Sequence, residues 1–171
     1  MKQLAFKRIN NVPMDAVQLH TDGGKLDSDR SGNGIYIKLR NQEMKIKGRN
    51  PHFCSVFRSE FIAILEGLGS IMSLSLFIDI WIFSNSKSAI QHLADWHNVR
   101  VSVGADILRK LKLIFFSHRI HFQWIPSHVD IAGNEIADSL AKAVSEEAIA
   151  TAAPLTYLEH FSKCKAKNMA I

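Results

Sequence analysis

The sequence predicts an α/β domain in which one mixed β-sheet carries helices on both faces. Alternating apolar residues early in the chain read as a strand followed by a hairpin, hence antiparallel pairing. A nearly continuous apolar run from Leu76 to Phe83 suits a strand covered on both sides, as in a parallel pair. Amphipathic stripes of helical period flank this run, the order expected of βαβ units.

Each element has its own signal. Between Ala16 and Asp22, Val17, Leu19 and Thr21 alternate with Gln18, His20 and Asp22, and Gly23 and Gly24 then interrupt the strand. A loop rich in Gly, Ser and Asp is predicted over Lys25–Gly34. Ile35, Ile37 and Leu39 alternate with Tyr36, Lys38 and Arg40, and Met44 and Ile46 with Lys45 and Lys47. Asn41 and Gln42 between them complete a hairpin. Asn50 and Pro51 mark a break. From Phe57 to Met72 the period becomes helical, with Phe57, Phe61, Ile64, Leu65, Leu68 and Met72 on one stripe. The apolar strand ends at Ser84-Asn85-Ser86. A short helix carries Ala89, Ile90 and Leu93, and a further one spans Asp106–Phe116. Arg119–Ile125 alternates again and Pro126 stops it. Gly133 and Asn134 open a last helix with Ile136, Ala137, Leu140, Ala141 and Val144 on its apolar side.

A length of 171 residues fits one domain. With 47% hydrophobic and 22% charged residues, intrinsic disorder is excluded. The 21 Lys and Arg against 16 Asp and Glu give a net charge of +5, which favours a polyanionic partner without specifying one. Cys54 and Cys164 are too few for a disulfide framework or a thiolate zinc site. The start of the chain lacks the apolar stretch of a secretory signal. The region 71–83 contains Asp79 and is too short for a bilayer of about 30 Å. A soluble, reduced, intracellular domain with no membrane partner is therefore expected, in the cytoplasm or nucleus. We divide the chain into an N-terminal extension (1–15), the domain itself (16–144) and a C-terminal tail (145–171). The tail is Ala-rich. Leu155, Leu158 and Phe161 could form a short amphipathic helix there, and the segment is expected to be frayed or the start of a further one.

Three acids stand apart from the solvated majority. Asp22 ends a strand before a Gly pair, Glu60 borders the apolar stripe of its helix, and Asp138 lies in the first turn of the last helix. Each has a plain structural explanation: a turn cap for Asp22, a buried stem for Glu60, the helix dipole for Asp138. Jointly, acids at the ends of elements of one sheet suggest a site for cations, since carboxylates brought together repel unless neutralised. Oxygen ligands select Mg²⁺ or Mn²⁺ rather than zinc.

Four runs carry more specific information: Thr21-Asp22-Gly23-Gly24; Arg58-Ser59-Glu60-Phe61-Ile62-Ala63-Ile64; Ser84-Asn85-Ser86-Lys87-Ser88-Ala89; and Trp124-Ile125-Pro126-Ser127-His128 leading into Gly133-Asn134-Glu135-Ile136-Ala137-Asp138. In this order they resemble ribonuclease H of type I, and most closely the ribonuclease H domains of mobile-element (non-LTR retrotransposon) reverse transcriptases. The resemblance covers Ala16 to Val144. It implies a ribonuclease H-like fold with a five-stranded mixed sheet, and hydrolysis of the RNA strand of an RNA–DNA hybrid. It also implies two Mg²⁺ ions, with Mn²⁺ as a possible substitute, about 3.5–4 Å apart at the scissile phosphate. On the same analogy Asp22 bridges both metals, Glu60 holds the one at the leaving group and Asp138 the one that activates water. His128 corresponds to a loop histidine that assists proton transfer or product departure. Gly23 and Gly24 let backbone approach the RNA, and Arg58 and Lys87 can meet phosphates. A larger reverse transcriptase polyprotein is a possible parent.

The pattern breaks at Asn85, where the family has Asp. An amide oxygen can touch a metal but brings no charge, so cation binding and cleavage are expected to suffer while the fold survives, Asn being as good a helix cap as Asp. An engineered inactivating change and a decayed element copy both fit. Asp130 replaces a Gly usual in the histidine loop. Trp96, His97 and Arg100 stand where some relatives carry a basic protrusion, without its Lys/Arg density, so salt-sensitive binding is expected. A hybrid-binding pseudoenzyme is the alternative reading. A nucleotide-binding α/β domain is disfavoured by the lack of a Gly-rich phosphate loop.

Overall fold

The computed structural model describes residues 2–27, 29–74 and 77–144. The expectations placed on the C-terminal tail fall outside the described residues. The elements in order are α1 (Lys2–Asn10), β1 (Val17–Lys25), β2 (Ser31–Leu39), β3 (Gln42–Arg49), α2 (Val56–Ile71), β4 (Ile80–Ser84), α3 (Lys87–Ala94), α4 (Ser102–Phe115), β5 (Ile120–Trp124) and α5 (Ala132–Lys142), with a short 3-10 turn at Trp96–Asn98. The five strands form one sheet in the order β3-β2-β1-β4-β5. β1–β2 and β2–β3 are antiparallel, and β1–β4 and β4–β5 are parallel. This is the mixed sheet expected, with helices on both faces.

Several boundaries differ from the expectation. β1 runs through Gly23 and Gly24 to Lys25, and β2 begins at Ser31, so the predicted loop is shortened from both ends. Glycine carries no period signal, yet Gly23↔Asn33 and Gly24↔Gly32 are paired in the ladder. The apolar run at 76–83 contributes only its second half to β4. α4 starts four residues before Asp106, at Ser102. α1 lies in the segment treated as an extension. The cap of α3 is Ser86, whose Oγ accepts from the Ala89 amide at 3.3 Å, and not Asn85.

The two faces of the sheet are closed differently. On one, Leu19, Ile35, Ile37, Ile80 and Ile82 form the main core with Phe61, Ile64, Leu68 and Ile71 of α2 and Val103, Ile107 and Ile114 of α4. On the other, α5 lies over β1 and β2, while Ala5, Phe6 and Ile9 of α1 join Trp81, Phe83, Ile125 and Ile131. Contact with α5 is close because β2 has no side chains there. A Cβ at Gly34 would overlap the Ala137 carbonyl oxygen and the Ala141 amide, and one at Gly32 would meet Ala141 and Val144. Gly23 plays the same part toward α2, where a Cβ would overlap the backbone at Ser59 and Glu60. Helices on opposite sides thus converge on the carboxyl end of β1.

His20 is buried between Phe83, whose ring is stacked on it at 4.7 Å, and Gly133 of α5. Burial, with the nearby Lys38 charge adding to it, lowers its pKa from 6.5 to about 4. The unfolded chain takes up this proton below about pH 6.5 while the folded one stays neutral to about 4. The stability this group confers is therefore full above pH 6.5 and lost as the pH falls through that window.

Gly34→Ala should destabilise by about 2 kcal/mol or more through backbone overlap. Gly69→Ala should stabilise by about 0.5–1 kcal/mol, because its Cβ would meet only the flexible Lys110 Nζ at 3.3 Å on a helix surface. Urea unfolding at pH 7 compares the two. Repeated at pH 4.5, the same titration should show His20→Gln lacking about 2–3 kcal/mol of the parent's acid-side loss; equal losses would mean that His20 is protonated in the folded state.

Candidate active site

Asp22, Glu60, Asn85 and Asp138 come together where the parallel pairing of β1 with β4 stops, while β1 continues beside β2 to Lys25. Thr21 and Ser84 form the last parallel pair of β1 and β4, and Asp22 and Asn85 are the next residues along each chain. Such a position, beyond the carboxyl ends of parallel strands, is where α/β sheets open a crevice. Asn85 Nδ2 donates to Asp22 Oδ1 at 2.9 Å, and the Asn85 backbone carbonyl accepts from Trp124 Nε1 at 3.0 Å. Asp138 shares a hydrogen bond with Asp22, and Glu60 lies within its field. Asp22 thus interacts with all three others.

The electrostatics match this crowding. Glu60 is 5% exposed, and its pKa is pushed up to about 9, first by burial and then by the Asp22 charge, although it accepts a hydrogen bond from the Gly23 amide. Burial likewise raises Asp22, to about 6, with Asp138 adding to the rise and the Asn85 hydrogen bond opposing it. At Asp138 burial also works upward, but hydrogen bonds from Lys142 and Asp22 outweigh it and hold the carboxyl below its usual value. Lys142 Nζ lies 2.6 Å from Asp138 Oδ2.

Lys142 and Glu135 escaped the sequence reading. They stand four residues after and three before Asp138, the spacing that puts side chains on one face of a helix. Asp138 itself is in the middle of α5, and Glu135 is the first-turn acid. The dipole explanation for Asp138 therefore lapses. His128 is exposed in the loop before α5, and ligand atoms of His128, Glu135 and Asp138 lie within 4.8 Å of one another.

The candidate substrate-binding residues separate. Lys87 is exposed in the first turn of α3, and Gly24 is partly open. Gly23 is buried against α2. Arg58 is 2% exposed, so its guanidinium belongs to the interior and presents no surface to a phosphate. Only its position in a helix distinguishes it from a surface cation, and sequence does not reveal that the face is covered. Trp96 is 59% exposed beside His97.

The site fits a hard divalent cation. Its donors are oxygens, and Glu60 Oε2 and Glu135 Oε1 are buried atoms with no hydrogen-bond partner. An orphaned carboxylate oxygen next to other acids is stabilised by a cation more than by any neutral donor. Cys54 is buried, with its Sγ 3.6 Å from the Ser55 carbonyl oxygen. Among the described residues no helix is long and apolar enough to cross a membrane.

Comparison with known proteins agrees with this geometry. A Ribonuclease H of Orientia tsutsugamushi (strain Boryong) is 27% identical over 150 residues, covering 82% of this chain and 87% of the relative. One from Mycolicibacterium gilvum (strain PYR-GCK) is 28% identical over 149 residues, covering 80% and 96%. The N-terminal RNase H domain of a Mycobacterium tuberculosis protein, solved as a fusion with maltose-binding protein, superposes with a TM-score of 0.58 at 16% identity over 91% of this chain and 99% of that one. LC11-RNase H1, solved in complex with an RNA/DNA hybrid, gives 0.58 at 14% identity over 73% and 96%. The profile of the RNase H family matches residues 14–146, and the chain therefore belongs to that family of ribonuclease H enzymes.

Proposed function

We propose that this chain is an endonuclease acting on the RNA strand of RNA–DNA hybrids with divalent metal ions, Mg²⁺ or in its place Mn²⁺, and that Asn85 impairs it. The observation that carries the reading is the convergence of Asp22, Glu60 and Asp138, with Glu60 Oε2 buried and unpartnered. These three carboxylates and the Asn85 amide oxygen would hold two ions. When bound, such ions activate water and stabilise the leaving 3′ oxygen of an in-line displacement. The chain's own groups do the rest. Asp22 spans the site because it alone meets both Asn85 and Asp138. His128, exposed and next to Asp138, can accept or return a proton at its imidazole. Lys87, opening α3, presents its ammonium to a backbone phosphate. Gly24 leaves β1 open to close approach by the RNA sugar edge, which is how an A-form-like hybrid is recognised. The hybrid bound by LC11-RNase H1 supports that partner.

Asn85 gives the alternative, a hybrid-binding pseudoenzyme, a specific footing. Its amide proton occupies Asp22 Oδ1, where Asp would present a further charge to a cation. We further place the protein inside the cell, and its action within a larger reverse transcriptase polyprotein. Arg100 is the only Lys or Arg between α3 and α4, so a neighbouring domain would supply grip that this surface lacks.

A labelled RNA–DNA hybrid with Mg²⁺ or Mn²⁺ tests the reading. Asn85→Asp should raise the cleavage rate about 100-fold or more, since even outer partners of metal ligands are worth about 10–100-fold. A folded Asn85→Asp protein that cuts nothing in either metal would overturn the nuclease assignment. Binding without cleavage in both forms would favour the pseudoenzyme.

Stability gives an independent readout. In EDTA, Asn85→Asp should be less stable than the parent by about 1–3 kcal/mol, because a hydrogen bond becomes a carboxylate contact. In Mg²⁺ the order should reverse, as the ions bind the folded variant more tightly. Thermal unfolding of both forms with and without the metal measures this.

A further inference from the structure

Helix α1 is the feature that the reading above leaves unused. It precedes the segment matched by the family profile, which begins at residue 14. Yet it reaches the loop that carries His128 from several points. Lys2 Nζ donates to Asp130 Oδ2 at 2.6 Å. Arg8 donates to Gln123 Oε1 at 3.0 Å, on the strand leading into the loop. Ala5, Phe6 and Ile9 share one apolar cluster with Ile125, Val129 and Ile131, so α1 and both arms of the loop belong to one packed unit.

The loop needs such support. His128 has φ 54° and Asp130 φ 60°, two non-glycine residues in the left-handed region. That conformation is unfavourable for L-residues and persists only where the surroundings fix it. Asp tolerates it better than most residues, which suits position 130, where a side chain is also needed to reach Lys2.

We infer that α1 positions His128 by clamping the 126–131 loop, with Asp130 as the handle that Lys2 holds. The consequence for cleavage rests on the role given to His128 above; the clamp itself does not. Its apolar part does most of the holding. The Lys2–Asp130 pair is 49% and 86% exposed, and an exposed ion pair shifts an equilibrium by about five-fold at most.

The test uses the full chain in the Asn85→Asp background, with Lys2→Ala, Lys2→Arg and the pair Phe6→Ala with Ile9→Ala. Amide hydrogen exchange of residues 127–131 should quicken about three- to five-fold in Lys2→Ala and return to the parent rate in Lys2→Arg. It should quicken about ten-fold or more in the apolar pair, while amides of β1 and β4 keep their rates. The His128 imidazole ¹⁵N signals should shift in the same variants, and kcat should fall with KM unchanged. Unaltered exchange and imidazole signals in both Lys2→Ala and the apolar pair would overturn the clamp, as would exchange that quickens across the whole sheet. A loosened loop with unchanged kcat would overturn positioning for catalysis. His128→Ala then separates the causes, since an unchanged kcat there puts the fault in the role of His128 itself. Should the parent background cut no hybrid, the nuclease reading fails, and exchange and imidazole signals still decide the clamp.

Discussion

Burial of Asp22 among like charges is the constraint to which the rest of the molecule answers. Asp22 is 4% exposed and Glu60 5%, with Asp138 alongside. Burying an uncompensated carboxylate costs several kcal/mol, and a second one nearby adds repulsion. The protein meets that cost in three ways. Protons are held more tightly, with Glu60 pushed up to about 9 and Asp22 to about 6. The Asn85 amide donates to Asp22, and the Lys142 ammonium sits on Asp138. Each is a positive or protic group standing where a divalent cation would do more. The pocket is thus organised by the same electrostatics that would let it bind metal.

The geometry that forces this crowding is set by missing side chains. Gly23 lets β1 approach α2 at Glu60, and Gly32 and Gly34 let β2 approach α5 at Ala137 and Ala141. Asp22 faces α5 from β1, while Glu60 arrives from the helix on the other face, and the Gly23 amide joins the two by donating to the Glu60 carboxylate. Larger residues at these glycines would separate the layers and with them the acids. The small residues therefore belong to the chemistry as much as to the fold.

These features differ in how far the sequence reveals them. The alternating strands and the α2 stripe are legible because periodicity reports which face is covered, whereas Asp22 and Asp138, read as acids at element ends, lie inside β1 and α5. The ends of β1 and β2 are not, since Gly23, Gly24, Gly32 and Gly34 look like loop residues until the partner helix is known. Helix α1 is hidden because its few apolar residues, Leu4, Ala5, Phe6 and Ile9, stand among Lys2, Lys7 and Arg8, and Leu4 is left 55% exposed. Arg58 shows the reverse problem: a cation reads as surface, and only tertiary structure reveals its burial. Glu135 and Lys142 were open to discovery from helical spacing alone. Nothing else in the sequence marks them, because acids and lysines on a helix are ordinarily solvated.

Asn85 joins both themes, since fold and chemistry ask opposite things of it. Without a cation, Asp at this position would set a second carboxylate against Asp22 at hydrogen-bond distance. Two like charges so close repel unless one takes up a proton or a cation neutralises them. The amide replaces that repulsion with a hydrogen bond of 2.9 Å and leaves Ser86 to cap α3 and Trp124 to hold the backbone carbonyl. Nothing in the surrounding architecture registers the change. On the proposed reading the balance would invert with cations present, because the site would have one negative charge fewer to hold them. An amide that eases the repulsion among the acids would for that same reason hold a cation less well than a carboxylate.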